Sequence, residues 1–228
     1  MIKPTFFNGT IEFNKIISNE THQIRIKPNV DFNFEPGQFV TITVAPQIKR
    51  SYSVASIPGL GYFDLIGDTR AGGPGSHFFD TAKDNQEVEV LGPLGMFTLK
   101  ETENPVIFWA TGTGVVPFMS MIEAELLKNP DREMILNSGF RFEEDIFAKE
   151  LFTDLSERYP NFKYNLYLSK PTDSWIGKGG RITEYLNELD KPEKYDHYMC
   201  GVKAMVDELI VTLSDKKVPV DQVHYEKF

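Results

Sequence analysis

Three short segments of the chain combine residue types that bind phosphate groups or aromatic rings. In chain order they are Arg50-Ser51-Tyr52-Ser53, Gly72-Gly73-Pro74-Gly75-Ser76 and Gly112-Thr113-Gly114-Val115-Val116-Pro117. The first places a cation, an aromatic ring and two hydroxyls in four consecutive residues. The other two are glycine-rich, so their backbone N–H groups can approach a phosphate closely. Two such phosphate-binding segments predict two nucleotide-type ligands held face to face.

The segment around Tyr52 follows a predicted strand over residues 38–44. Alternation along a strand sends Arg50 and Tyr52 to one face and Ser51 and Ser53 to the other. A guanidinium suits a phosphate because it donates two parallel hydrogen bonds. The tyrosine ring could stack on a flavin, and a hydroxyl could donate to flavin N5. An ordinary strand with an exposed arginine and a half-buried tyrosine is the alternative interpretation.

The glycine loop that contains Gly73, Pro74 and Gly75 leads into a predicted helix over residues 76–82, with Ser76 as its N-cap. Free amides at the start of this helix, together with the serine hydroxyl, would bind a pyrophosphate. A flexible hairpin connection is the alternative.

The third segment, Gly112-Thr113-Gly114, lies between a predicted buried strand over residues 106–110 and a helical segment. A dinucleotide site requires this order of strand, turn and helix. Pro117 stands where the third glycine of the usual G-x-G-x-x-G pattern would be, and proline costs little in the first turn of a helix. A tight turn that binds nothing is the alternative.

The pair Cys200-Gly201 ends another predicted buried strand and precedes a helical segment. Because the carboxyl ends of neighbouring parallel strands converge at the crevice of an α/β sheet, we expect this pair to line the site. A single cysteine is more often a small buried hydrophobe. No partner base is identifiable, so we expect no nucleophilic role.

The last residue, Phe228, allows two interpretations. It either covers the face of an aromatic cofactor or ends a frayed edge strand.

The elements that must position these residues change character near residues 101–105. Before that point, seven short segments rich in β-branched and aromatic residues predict strands. They are residues 8–18, 21–28, 38–45, 50–55, 62–67, 86–91 and 96–100. Many short strands at this spacing predict an antiparallel β-barrel.

After residue 105, buried strands alternate with amphipathic helices, which predicts a parallel-sheet α/β domain. The predicted strands are residues 106–110, 133–139, 163–168 and 197–200, with a final strand over 222–228, and the predicted helices are 115–128, 144–157, 182–188 and 202–214. The chain is therefore expected to have a two-domain β plus α/β fold, with domains at 1–103 and 104–228.

Composition excludes several classes of function. The net charge of −9 over 228 residues disfavours nucleic acid as a partner. A single cysteine excludes an intramolecular disulfide, a thiolate-held iron–sulfur cluster and a Cys-rich zinc site, and the four histidines have no metal-ligand spacing, so no metal is expected. No signal peptide and no apolar run near the ~20 residues of a membrane span is evident, which predicts a cytoplasmic protein.

The ordered set of motifs resembles the ferredoxin–NADP reductase superfamily, whose members join an FAD-binding antiparallel barrel to a nicotinamide-binding α/β domain. The resemblance runs from Pro36-Gly37-Gln38 through Cys200-Gly201 to the C-terminus. It implies FAD as cofactor and NADPH or NADH as the hydride donor to flavin N5. It also implies that electrons pass on to a separate acceptor. A small redox protein, ferredoxin or flavodoxin, is the expected partner, and a cytochrome, a ferric complex, an oxygenase component and free flavin are the alternatives.

The resemblance also assigns roles to residues. It implies that Arg50 binds flavin phosphate, that Tyr52 packs on the isoalloxazine and that Ser53 lies near N5. The further flavin-binding residues are Ser51, Gly73, Pro74, Gly75, Ser76 and Phe228, and the residues at the nicotinamide dinucleotide are Gly112, Thr113, Gly114, Cys200 and Gly201. Ser53, Cys200 and Glu226 are the expected catalytic residues.

The choice of nucleotide depends on side chains at two further strand ends. Arg141, Ser169 and Lys170 stand where the family places groups that bind the 2′-phosphate of NADPH. Asp145 and Asp173 could instead favour NADH by repelling that phosphate. We expect NADPH. A flavin reductase that uses free flavin as substrate, or a non-catalytic interaction protein on the same scaffold, is the alternative to an enzyme with bound FAD.

Overall fold

The computed structural model describes residues 2–227. The chain divides into two compact units. The first contains the residues up to Leu99 together with Val116–Ala124, and the second contains Lys100–Val115 and the residues from Glu125 onward. The division into domains at 1–103 and 104–228 stays a prediction.

Six antiparallel strands form the sheet of the first unit, in the spatial order β4-β3-β6-β1-β2-β5. The elements are β1 (Thr5–Ser18), β2 (Thr21–Pro28), β3 (Phe39–Ala45), β4 (Ile48–Ser53), β5 (Phe63–Asp68), helix α1 (Pro74–Thr81) and β6 (Glu87–Leu94). Val54, just after β4, bridges Leu65 of β5, and the Ala55 N–H donates to the Asp64 carbonyl at 2.9 Å. The two edges of the sheet therefore meet at this point, and the predicted antiparallel barrel-like fold is confirmed.

Alternation along the strands builds the core of this unit. In β3, Val40, Ile42 and Val44 are buried and alternate with half-exposed residues, as a strand with one face on the core requires. Helix α1 adds Phe78 and Phe79 to the same core. The helix is thereby fixed close to β4, which carries the first chemical segment.

Two local predictions for this part of the chain are wrong. Residues 96–100 form no strand, because the Phe97 ring is buried against the Phe118 ring, with centroids 5.9 Å apart. Helix α1 begins at Pro74 with Gly73 as N-cap, two residues before Ser76. Proline is favoured at this position because the N–H that it lacks would have no acceptor inside the helix.

A six-stranded parallel sheet forms the centre of the second unit, in the order β10-β9-β8-β7-β11-β12. The strands are β7 (Val106–Thr111), β8 (Met134–Phe140), β9 (Phe162–Leu168), β10 (Lys178–Gly179), β11 (Asp196–Gly201) and β12 (Val223–Lys227). Chain order reverses between β7 and β11, and the carboxyl ends of strands at such a point form a crevice. The predicted α/β domain is confirmed, and β10 is a short addition to it.

Four helices accompany this sheet in the sequence. They are α2 (Val116–Lys128), α3 (Lys149–Arg158), α4 (Ile182–Glu188) and α5 (Lys203–Asp215). The helix predicted over residues 144–157 is interrupted, because Ala148 has a φ of +57°. Within residues 2–227, none of the helices combines the length and the apolar character that a bilayer crossing requires.

A network of polar side chains fixes the residues just before β7. Arg132 pairs with the Glu125 carboxylate at 2.8 Å and donates to the Asn104 carbonyl at 3.1 Å and to the Thr102 hydroxyl at 3.2 Å. The Asp196 carboxylate accepts hydrogen bonds from the side chains of the same threonine and asparagine. Both partners of the ion pair have only about one tenth of their side-chain surface exposed.

The Glu125 carboxyl stays ionised in this network. Burial alone would raise its pKa, but hydrogen bonds from Asn129 and Arg132 and the positive charges of Arg132 and Lys128 outweigh that effect. The pKa therefore lies below its ordinary value. A group of this kind contributes stability above its unfolded pKa, and that contribution is lost as the pH falls through its folded pKa.

We predict that Arg132→Met lowers the free energy of unfolding at pH 7 by about 3–5 kcal/mol, because it leaves a buried carboxylate without its cation. The measurement is guanidinium unfolding with the slope compared between variants. The cost should shrink as the pH falls towards the ordinary carboxyl pKa, because burial without the cation raises the pKa of Glu125 in the variant, so that it is protonated while the wild-type carboxyl is still ionised. Arg158→Met is the control, since the pair of Arg158 with Asp154 is more than half exposed on both sides. Equal losses for the two variants would contradict the assignment.

Candidate functional site

The first two chemical segments lie together in the first unit. Arg50 and Tyr52 pair with Ile42 and Val40 of β3, so both point to one face of the sheet. A Cβ on Gly75 would overlap the tyrosine hydroxyl and would lie 3.5 Å from Cγ of the arginine. The start of α1 thus packs directly against these two side chains, and it can do so only with glycine at this position.

Tyr52 is held by its ring. The ring packs at a steep angle on Phe79 of α1, with centroids 5.0 Å apart. Burial raises the pKa of the phenol, and the nearby Arg50 cation opposes that shift only in part. The hydroxyl is therefore neutral at physiological pH and can donate a hydrogen bond.

The other residues of β4 have different surroundings. One guanidinium nitrogen of Arg50 donates to the Lys49 carbonyl at 2.8 Å, and the side chain is exposed. The Ser51 hydroxyl shares a hydrogen bond with Thr41 at 2.9 Å on the opposite face. Ser53 lies on that face too, since the side chains alternate. The structure therefore brings Arg50 and Tyr52 together and separates the two serine side chains from them.

The backbone at the start of α1 is open. A Cβ on Gly72 or on Gly73 would meet no atom within 4 Å. No acidic residue stands in the first helical turn, and Pro74 occupies its first position. The first N–H groups of a helix have no acceptor within it, so this turn can bind an anion.

Ser76 lies inside this turn rather than before it. Its side chain is buried, and its hydroxyl reaches the Asp68 carbonyl at a long 3.4 Å. The hydroxyl therefore faces the protein, and the prediction that it caps the helix is wrong.

The third segment and the Cys200-Gly201 pair lie together in the second unit. Residues Gly112–Val115 form a 3₁₀ turn between β7 and α2. A Cβ on Gly114 would overlap the Cys200 carbonyl. Gly112 has a φ of +53°, and a Cβ there would meet no atom within 4 Å. The turn is thus tight on the side of β11 and open at its first glycine.

Sequence reasoning missed Thr111, which joins the two strand ends. A Cβ on Gly201 would overlap the Thr111 Oγ1 atom, and Gly201 has a φ of +140°. The same oxygen accepts a hydrogen bond from the Val202 N–H at 3.1 Å. The available signal was the position of this threonine directly before the glycine turn, at the end of a buried strand.

Cys200 and Glu226 are neighbours across β11 and β12. The thiol is buried, and burial raises its pKa, to which the Glu226 charge adds. Burial also raises the pKa of Glu226. Both effects favour the protonated thiol, and the expectation that Cys200 has no nucleophilic role stays a prediction. Phe228 lies outside the described residues.

Three of the residues predicted to select the nucleotide meet beyond the ends of β8 and β9. The Ser169 N–H donates to the Phe140 carbonyl and the Lys170 N–H donates to the Arg141 carbonyl, both at 3.0 Å. The two cations and the serine hydroxyl thus follow adjacent strands.

The two carboxylates considered as alternatives differ in exposure. Asp145 is buried, and its carboxylate accepts a hydrogen bond from the Phe142 N–H at 3.2 Å. It thereby stabilises its own 3₁₀ turn. Asp173 is exposed.

Comparison with known proteins matches both units. A family model for the oxidoreductase FAD-binding domain matches residues 8–99, and one for the oxidoreductase NAD-binding domain matches residues 108–209. Ferredoxin–NADP reductase B of Sorangium cellulosum is 32% identical over 211 residues, which make up 86% of this chain and 86% of the relative. FAD and NAD(P) are the cofactors of these two parts of the chain.

Two further similarities are informative. The ferredoxin–NAD(P)(+) reductase component of the naphthalene 1,2-dioxygenase and salicylate 5-hydroxylase systems of a Ralstonia species is 26% identical, over 96% of this chain and 68% of the relative. The crystal structure of a cytochrome P450 reductase from Amycolatopsis has a TM-score of 0.92 at 25% identity, covering 99% of this chain and 70% of that one.

We predict that Gly75→Ala destabilises the chain by about 1–3 kcal/mol, because the new methyl group overlaps the Tyr52 hydroxyl. Tyr52→Phe removes that hydroxyl, so the double variant should recover part of the loss. A double-mutant cycle of unfolding free energies measures this coupling. Gly73→Ala is the matched control, since its methyl group enters open space. Additive effects in the cycle would contradict the described packing.

Proposed function

Because this chain belongs to the ferredoxin–NADP reductase family of flavin-dependent NAD(P)H reductases, we propose that it passes electrons from NADPH through bound FAD to ferredoxin or flavodoxin. The FAD, when bound, supplies the redox chemistry, since it accepts two electrons at once from a nicotinamide and releases them one at a time. The protein supplies binding, orientation and charge. The observation that carries the proposal is the convergence of each pair of motifs within its own unit.

In the first unit, we assign the FAD phosphates to Arg50 and to the first turn of α1. The fit is supported by the open backbone at Gly72 and Gly73 and by the absence of an acidic residue in that turn. The neutral Tyr52 phenol provides an aromatic face and a donor beside the same turn. Ser51 and Ser53 would contribute through their backbone or from the other face of β4, and the family resemblance is what assigns Ser53 to the flavin ring.

In the second unit, we assign the nicotinamide dinucleotide to the turn after β7 and to the end of β11. The open Gly112 lies at the start of the turn, and α2 has no acidic residue in its first turn. Thr113, Gly114, Cys200 and Gly201 complete this set. The protonated Cys200 thiol and the neighbouring Glu226 would line the nicotinamide end without forming a covalent bond to it.

The preference for NADPH is supported by charge. Arg141, Ser169 and Lys170 lie together at two adjacent strand ends, and a 2′-phosphate is bound by such cations and hydroxyls. Asp145 is buried in its own turn, so one of the two carboxylates that would favour NADH is occupied elsewhere.

The choice of ferredoxin or flavodoxin as electron acceptor is supported by the names of two relatives and by the low cysteine content of the chain. The names of the Sorangium and Ralstonia proteins both refer to ferredoxin. The 228 residues contain one cysteine, whereas a thiolate-held iron–sulfur cluster needs several. Electrons would therefore pass from the bound FAD to a redox carrier that these 228 residues do not themselves contain.

An absorbance spectrum of the purified protein, followed by anaerobic titration with NADPH or NADH, tests the proposal. We expect a bound flavin spectrum that NADPH bleaches at lower concentration than NADH does, and reoxidation by added ferredoxin or flavodoxin. Protein that purifies without flavin but reduces free flavin would favour a flavin reductase. No nucleotide oxidation with any acceptor would favour a non-catalytic role.

We predict that Arg50→Met weakens FAD binding by about tenfold or more, the size expected for the loss of a charge-assisted hydrogen bond to phosphate. Titration of the apoprotein with FAD, followed by flavin fluorescence, measures the change. Lys49→Met is the control, because it removes one positive charge from the preceding residue of the same strand. If both variants lose affinity equally, net charge and not a specific phosphate contact is responsible.

A further inference from the structure

We infer that Thr111 is a positioning residue, whose hydroxyl sets the separation between the two strand ends that hold the dinucleotide. This inference rests on the proposed function, because the residues on either side of Thr111 are those assigned to the nucleotide. The threonine itself is not assigned a contact with the ligand. Its role follows from how it joins the turn after β7 to the end of β11.

The backbone ladder between β7 and β11 ends one residue before Thr111. The last paired residues are Ala110 and Cys200. Beyond them, the Thr111 hydroxyl accepts a hydrogen bond from the Val202 N–H at 3.1 Å. A side-chain hydrogen bond thus extends the pairing of the two strands by one residue, at the point where the backbone leaves the sheet after each strand.

The space around this hydrogen bond is fully used. The Thr111 Oγ1 atom occupies the position that a Cβ on Gly201 would need, and backbone atoms of Thr111 lie 3.0 Å from the same position. On the other side, the Cys200 carbonyl occupies the position of a Cβ on Gly114. The end of β11 is therefore contacted twice, by Thr111 at the end of β7 and by Gly114 in the turn that follows, and only the threonine contact is formed by a side chain that can be exchanged.

The same hydrogen bond also fixes the start of α5. Val202 is the N-cap residue of that helix, and its N–H is one of the donors that need a partner outside the helix. Without the hydroxyl, this donor would lose its acceptor and the Cys200-Gly201 peptide could move away from the turn. Small displacements of groups that hold reacting partners change binding and rates strongly.

Two substitutions separate the hydroxyl from the shape of the side chain. Thr111→Val keeps the volume and removes the acceptor, whereas Thr111→Ser keeps the acceptor and removes a methyl group. Val218→Ala is the control for general loss of stability. It shortens a buried side chain of the same unit beyond the other end of the 13-residue α5, about 20 Å from its start.

Two measurements test the inference without depending on catalytic turnover. The first is the equilibrium binding of NADP⁺ to the FAD-containing protein. The second is the rate at which Cys200, the single cysteine of the chain, reacts with a soluble disulfide reagent. We expect Thr111→Val to weaken NADP⁺ binding about tenfold and to speed the thiol reaction several-fold. Thr111→Ser should stay within about twofold of the wild type in both, and FAD content should be unchanged throughout.

Three results would overturn the inference. They are wild-type behaviour of Thr111→Val, equal impairment of Thr111→Ser, or an equal loss of NADP⁺ affinity in Val218→Ala. Failure of the wild-type protein to bind NADP⁺ or NAD⁺ would instead overturn the proposed function. In that case the positioning role is tested only by the rate at which Cys200 reacts with the disulfide reagent. Equal rates in Thr111→Val and Thr111→Ser would overturn it.

Discussion

The close approach of backbone to backbone at the ends of β7 and β11 is the constraint on which the second unit depends. The Cys200 carbonyl lies where any side chain at position 114 would have to stand. The turn after β7 can lie this close to the end of β11 only because residue 114 lacks a Cβ. The glycines of the turn thus have two separate purposes, since Gly114 permits the packing of the protein and Gly112 leaves its backbone open.

The first unit uses the same device with different partners. At Gly75, the close neighbour is a tyrosine hydroxyl and not a backbone carbonyl. The helix can therefore rest on the side chains of β4, and its first turn is held beside a cation and a phenol. In both units the residues that resemble a ligand motif are also those that make the local fold possible.

Much of this could be predicted from the sequence, because it depends on local pattern. The strand alternation in β3 and the alternation of buried strands with helices gave the two fold types, and the glycine segments marked both turns. The start of α1 was placed wrongly because Ser76 is a good N-cap by type, while Pro74 fixes the backbone two residues earlier. The strand over residues 96–100 failed because Phe97 packs against a residue distant in sequence.

The Thr111 contact could not be predicted for the same reason. Its partner, Val202, lies 91 residues away, and a threonine before a glycine turn gives no sign of which N–H it accepts from. Asp145 shows the opposite case. Its charge suggested a role towards a nucleotide, but its carboxylate is committed to a backbone donor three residues before it. Residue type indicates what a side chain can do, and only tertiary contacts decide what it does.

The polar network around Arg132 has a consequence for engineering. Residues 102–104 form hydrogen bonds with Arg132 and Asp196, and the Lys100 N–H donates to the Tyr198 hydroxyl at 2.9 Å. This stretch is thus an integral part of the second unit and not a tether of adjustable length. A chimera that grafts a different flavin-binding half onto this chain should place its junction before residue 100. Residues 100–104 then stay in the same chain segment as the residues to which they are hydrogen-bonded.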